Sequence, residues 1–180
     1  MKQFDLRIIG LLLFISLTAG SLFANIYCSE NVSELGAFNY DYIEKMQSMN
    51  INGRDLFQYV LTERLKVWGL LFLLSFTSIA GLIHLGYILS FGFLLGLTCS
   101  TMVMIHGFMG TIYFFFLCLI SQMLYLGAVM AGMYGGMQRK KSKTGGNRII
   151  FLVLTALVLL CFSAFAETAL NLYFVKIFYK

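Results

Sequence analysis

The polar side chains set within apolar surroundings are few: His84, His106, Ser121, Gln122 and Glu167. An ionisable group in lipid is costly, so proton transfer, metal ligation or a substrate path would be sought at such residues first. Their spacing argues against one shared site. His84 and His106 are about twenty residues apart, roughly 30 Å along a helix, so they fall near opposite faces of a membrane and cannot share a metal ion or a proton. Gln122, beside Ser121 in the middle of an apolar run, suits a hydrogen bond to a neighbouring helix or a polar point on a substrate path. Glu167 is the acid inside the last apolar run; counted from Ile149 it lies about 27 Å along the helix, close to the outer interface, where a carboxylate is solvated or snorkels.

Enzymatic constellations are missing. The chain has no H-E-x-x-H, no G-x-S-x-G, no paired membrane aspartates and no glycine loop followed by a lysine. Without a nucleophile, a base and a route for water, no catalytic activity and no cofactor are expected. Of the four cysteines, Cys28, Cys99, Cys118 and Cys161, no two form a C-x-x-C pair, and the last three read as small packing residues.

The elements that must position these residues follow from hydropathy. Of 180 residues, 59% are hydrophobic and 12% charged, with a mean hydropathy of +0.83, which places the chain among integral membrane proteins. From Val67 to Gln138 there is no Asp, Glu, Lys or Arg. Such a run is over 100 Å of helix, about three crossings of a hydrocarbon core roughly 30 Å thick. The net charge of +5 comes without basic strands interleaved with aromatics, so it concerns topology and not nucleic acid.

In chain order, Lys2 and Arg7 precede an apolar run at 8–27, which runs on past Ala19-Gly20-Ser21 and is expected to remain as an uncleaved anchor. The polar segment 28–66 follows. Within it Leu56, Phe57, Val60, Leu61 and Leu65 recur at helical spacing, which predicts a short amphipathic helix at the interface, either a lead-in to the next span or a docking surface. Small and polar residues near His84-Leu85-Gly86 and from His106-Gly107 to Gly110 predict two turns, hence spans at 67–83, 87–105 and 111–134. A basic loop at 135–148 carries Arg139, Lys140, Lys141, Lys143 and Arg148, and a last span covers 149–173. The expected fold is all-α, a polytopic membrane bundle of about five transmembrane helices in a single domain. Four crossings separate the two basic clusters, so both lie on one side. The positive-inside rule makes that side, and the amino terminus, cytoplasmic.

Lipid is as apolar as leucine, so helices in it associate through close backbone approach at small residues. Gly92-x-x-x-Gly96 and Ala128-x-x-x-Gly132-x-x-x-Gly136 supply two such stripes. They serve contacts within the chain or, on the other reading, a homo-oligomer.

Taken together, the layout resembles the stage II sporulation protein M family of bacterial membrane proteins. The matching pieces are the basic start and single anchor, the modest polar segment, "LKVWGLLFLLSFTSIAGL", "LSFGFLLGL", "GFMGTIYFFFLCLISQMLYLGAVMAG", the basic loop, and "RIIFLVLTALVLLCFSAFAETAL". Ser121-Gln122 stands where the family tends to have a Pro-Gln-Asn-like break, with Ser121 and Met123 departing from it. Ser163-Ala164 to Glu167 is similar to the family's Ser-Ala-x-x-Glu. The resemblance implies a non-catalytic scaffold in the mother-cell membrane that recruits a peptidoglycan amidase and a lytic transglycosylase, the stage II sporulation proteins P and D, during engulfment. It places partner contacts in residues 28–66 and at the outer helix ends, including Glu167. The competing reading is a transporter or permease subunit in which Gln122, His106 and Glu167 line a path. The topology is open to a direct measurement: Cys28 reacts with a membrane-impermeant thiol reagent added to intact cells, a signal that Cys28→Ser removes.

Overall fold

In a computed structural model, residues 6–28, 52–139 and 146–178 are described, and they are almost entirely helical, with no strand among them. The helices are α1 (Leu6–Phe23), α2 (Gly53–Leu74), α3 (Ala80–His106), α4 (Phe108–Tyr113), α5 (Ile120–Arg139) and α6 (Gly146–Phe178). Two π-helical turns, Ala24–Cys28 and Phe114–Leu119, extend α1 and join α4 to α5. Four stretches are long and apolar enough to cross a membrane: Ile8–Tyr27, Ala80–His106, Phe108–Met137 and Ile149–Tyr173. The chain is therefore an all-α polytopic membrane bundle. Lys140, Lys141, Lys143 and most of the expected polar segment lie outside the described residues, while Arg139 closes α5 and Arg148 lies in the first turn of α6.

The first expected turn is in a different place. α3 runs unbroken through His84-Leu85-Gly86, and the chain turns at residues 75–79 instead. The backbone ladder stops there: Ser75 N–H still reaches the Leu71 carbonyl at 3.0 Å, but Phe76 and Thr77 donate only three residues back, to Leu73 and Leu74. Ser75 Oγ and Thr77 Oγ1 add bonds to the Leu71 and Leu74 carbonyls, each at 2.7 Å. Gly86 does not end α3, because in lipid a helix keeps its own backbone paired. Residues 67–83 are thus not one helix: Val67–Leu74 completes α2, which begins at Gly53 after the Asn52 cap. The second expected turn is present, centred on Gly107, whose φ of 60° is the one positive φ among the described residues and suits a residue without a β-carbon.

The described helices fall into two compact units. In the unit that holds α1, α3 from Leu85 onward and α4, helix α1 runs in the same sense as α3. Small residues face backbone there. A β-carbon added at Gly96 would lie 2.8 Å from the Leu17 carbonyl carbon, one at Gly92 3.0 Å from the Leu13 carbonyl oxygen, and one at Gly20 2.9 Å from the Phe93 carbonyl carbon. Ser21 and Ser100 hydroxyls meet at 2.6 Å along the same seam. The Gly92/Gly96 stripe is therefore an internal contact. Past Gly107, Gly110 faces the Met102 carbonyl, so α4 doubles back along the end of α3.

In the other unit α2 packs with α5 and α6. Trp68 lies against Ala128 and Gly132, and Ser75 against Gly136, so α2 runs in the same sense as α5. Leu159 faces Gly127 and Leu152 faces Gly135, so α6 runs opposite to α5. The Ala128/Gly132/Gly136 stripe is the track on which α2 lies: a β-carbon at Gly132 would come within 2.6 Å of Trp68 Nε1, and one at Gly136 within 2.5 Å of Ser75 Cβ. Gly86, by contrast, has nothing within 4 Å. Gly96→Leu is expected to cost about 1–3 kcal/mol or more by overpacking and to lower abundance and detergent Tm. Gly86→Leu stays within about 0.5 kcal/mol of the parent.

Candidate functional site

The buried face of α2 carries Arg64, Trp68, Leu71 and Ser75, a 4-3-4 spacing that keeps one stripe turned inward. Three of these suit an apolar interior, and Arg64 does not. Its side chain is only 9% exposed, and it is the one buried Lys or Arg among the described residues. A guanidinium cannot shed its proton to escape that cost, so it must be paired and hydrogen-bonded.

The unit supplies the partners from both neighbouring helices. Arg64 Nη2 forms an ion pair with Glu167 Oε2 on α6. Arg64 Nη1 donates to the Ser121 carbonyl on α5 at 3.3 Å, and the guanidinium carbon lies 4.8 Å from the centre of the Tyr125 ring, within cation–π range. The Ser121 carbonyl also accepts from Ser163 Oγ on α6 at 2.9 Å. Ser121 and Ser163 have no solvent exposure, whereas the Glu167 side chain keeps 26%.

Ser121 lies in the first turn of α5, directly after the π-helical turn Phe114–Leu119, and π-turns recur at functional sites. A carbonyl oxygen has two lone pairs, so the Ser121 carbonyl can accept from neighbouring helices. Ser121 Oγ donates back into that turn, to the Cys118 carbonyl at 3.1 Å. On α6, Thr168 Oγ1 likewise donates to Ala164, and Ala164, with no exposed surface, lets the neighbouring helices come close. One turn further along α2, Trp68 Nε1 donates to the Ala128 carbonyl at 3.1 Å, and the Trp68 and Phe72 rings stack at 5.3 Å.

A second polar contact sits where α2 turns into α3. Ser75 Oγ and His84 Nε2 are 3.0 Å apart. Ser75 gives its proton to Leu71, so His84 Nε2 is the donor in that pair and Nδ1 carries the lone pair; Nδ1 is buried without a partner. His106, at the far end of α3, meets the Tyr113 ring edge-on at 5.3 Å. His84 lies in the second turn of α3 and His106 at its end; among the described residues no group of three or more His, Cys, Asp or Glu could hold a metal ion.

Ser121 and Glu167 are thus brought together, by a residue that the sequence did not single out. Gln122 is half-buried, and the cluster contact on α5 is made by the neighbouring Ser121 carbonyl. In the sequence Arg64 is one of several charges set between Leu61 and Leu65 and their neighbours, next to Glu63. The available signal was its register: it shares a stripe with Trp68 and Leu71, while Glu63 and Lys66 pair with each other on the exposed side at 2.6 Å. Glu167 correspondingly is an ion-pair partner and not simply a snorkelling carboxylate. In comparisons with protein-family models, with curated proteins and with solved structures, nothing matches this chain.

Breaking a buried pair by removing one partner typically costs about 3–5 kcal/mol, because a charge is left without compensation. Glu167→Ala, which strands the more deeply buried Arg64, is expected to cost that much. Arg64→Ala costs less, because the Glu167 side chain is the more exposed of the two. The double substitution costs less than the sum, as read from thermal unfolding in detergent.

Proposed function

We propose that this chain is a non-catalytic membrane scaffold that anchors peptidoglycan hydrolases during engulfment in endospore formation, as the resemblance to the stage II sporulation protein M family implies. One observation supports this reading above the rest. The two pieces of sequence that carry the resemblance most, Ser121-Gln122 and Ser163 to Glu167, contribute Ser121, Ser163 and Glu167 to a single polar cluster. That cluster grips α2, the helix that leads out of segment 28–66. A scaffold needs such a grip, since a partner held by the polar segment is anchored only as firmly as the helix that carries it.

The chain sense within this unit fits the same picture. α2 runs with α5, and the basic loop follows α5, so with that loop cytoplasmic the start of α2 and the segment before it lie outside, facing the wall. The Ser121 carbonyl, the Ser163 hydroxyl and both terminal nitrogens of Arg64 are engaged between helices. A permease is the second reading, because charged residues within a membrane bundle are often part of a path.

Co-purification in mild detergent separates the readings. The tagged full chain is expected to retain the stage II sporulation proteins D and P, and deletion of residues 35–50 to release them. Retention of both after that deletion removes the outer segment from the argument, and a self-associated complex without either hydrolase points to a homo-oligomer. Flux through liposomes that changes with Gln122→Leu would support the permease instead.

A further inference from the structure

The helices of the unit formed by α2, α5 and α6 agree at one end and differ at the other. At the basic end Ser75 on α2 lies beside Gly136 on α5, about one turn before Arg139, and Gly135 faces Leu152 on α6, about one turn after Arg148. Heights can therefore be counted outward from those two arginines. On α6 the exposed side chains Leu154, Val158, Phe162 and Phe165 keep one flank apolar to about 26 Å from Arg148, most of a hydrocarbon core roughly 30 Å thick. On α2 the exposed apolar side chains Val67, Leu70 and Leu73 give way at Lys66, about 18 Å from Arg139. Lys66 Nζ donates to Glu63 Oε1 at 2.6 Å, and both side chains are exposed, on the side of α2 turned away from buried Arg64.

We infer that the bilayer is thinner along the α2 flank of this unit than along the α6 flank, because phospholipid headgroups descend there to meet Glu63 and Lys66. Side chains on a helix lean toward its amino terminus, which on α2 points away from the basic end, so Lys66 reaches up to Glu63, whose backbone lies at about 22 Å. That shortens the step without removing it. Holding the pair in hydrocarbon is costly, whereas a bilayer thins beside a short apolar stretch at a modest cost per ångström. A pair of opposite charges also matches headgroups that carry both signs, and exposed Tyr59, one turn further out, suits the headgroup layer. A protein partner fits this face less well. Arg54, Asp55, Gln58 and Thr62 continue it as exposed polar residues, and the core of a protein interface is depleted of charge. The inference concerns the lipid around the helices and stands whether or not the scaffold reading holds.

Two exposed positions at nearly equal height test this. Thr62 on α2 lies about 24 Å from Arg139 and Phe165 on α6 about 26 Å from Arg148. The full-length chain, with Cys28, Cys99, Cys118 and Cys161 replaced by serine or alanine, carries either Thr62→Cys or Phe165→Cys, is labelled with a nitroxide and is reconstituted in phosphatidylcholine vesicles with acyl chains about 18 carbons long. Collision of the nitroxide with a water-soluble nickel chelate and with oxygen is then measured. The label at Thr62 is expected to meet the chelate several-fold more often than the label at Phe165, which favours oxygen. Glu63→Leu combined with Lys66→Leu raises the apolar boundary on α2, so collision with the chelate at Thr62 is expected to fall several-fold while Phe165 is unchanged. The inference is overturned if the two labels meet the chelate equally, if the Thr62 label is shielded from both reagents, as a second copy of the chain covering this face would do, or if the leucine pair leaves the Thr62 label unchanged. The first comparison keeps every charged residue in place and decides alone if the leucine pair does not fold.

Discussion

A guanidinium in an apolar interior is the condition to which the unit formed by α2, α5 and α6 answers. Arginine stays charged at any pH the cell reaches, and the side chain of Arg64 is almost wholly withdrawn from solvent. Each neighbouring helix contributes what such a group requires: a carboxylate from α6, a backbone carbonyl and an aromatic face from α5. Even the serine on α6 serves this arrangement, because Ser163 donates to the same Ser121 carbonyl and fixes its direction. The cluster is thus a three-way joint, and its geometry constrains helix register along the whole unit.

The remaining contacts follow from the absence of a hydrophobic driving force between helices in lipid. Each unit answers with small residues, in its own way. Along α1 and α3 the close partner of Gly20 and Gly96 is a backbone carbonyl, Gly92 lies against the Ser16 hydroxyl and the Leu13 carbonyl, and one serine pair lies in the seam. Along α2 and α5 the glycines accommodate side chains, Gly132 the Trp68 indole and Gly136 Ser75. The indole in turn reaches the Ala128 carbonyl, so a bulky residue is held by both shape and a hydrogen bond.

The scaffold proposal draws on this joint, which ties α2 to both of its neighbours. The Arg64 guanidinium, the Ser121 carbonyl and the Ser163 hydroxyl are engaged between helices, and the exposed surface of the helices includes side chains such as Phe14, Leu82, Phe151 and Phe165, which suit lipid. The exposed charges of α2, among them the Glu63–Lys66 pair, belong to the part of the helix nearest the polar segment.

The sequence by itself determined the solvent of this protein, its helical class and the places where helices could come close. These depend on composition and local spacing alone: a charge-free run must lie in lipid, and Gly92, Gly96, Ala128, Gly132 and Gly136 must mark one face of a helix whatever that face meets. The break at Gly107 was legible for the same reason, since glycine tolerates the backbone angle found there. The turn at residues 75–79 was not, because Ser75 and Thr77 make the same kind of hydroxyl-to-carbonyl bond that Thr98 and Thr155 make inside unbroken helices, and His84-Gly86 offered the more familiar pattern of small and polar residues. Tertiary structure alone decided the role of Arg64 and Glu167. They are separated by 103 positions, and whether a charge is solvated or buried depends on what the fold brings to it, which no local pattern around either residue contains.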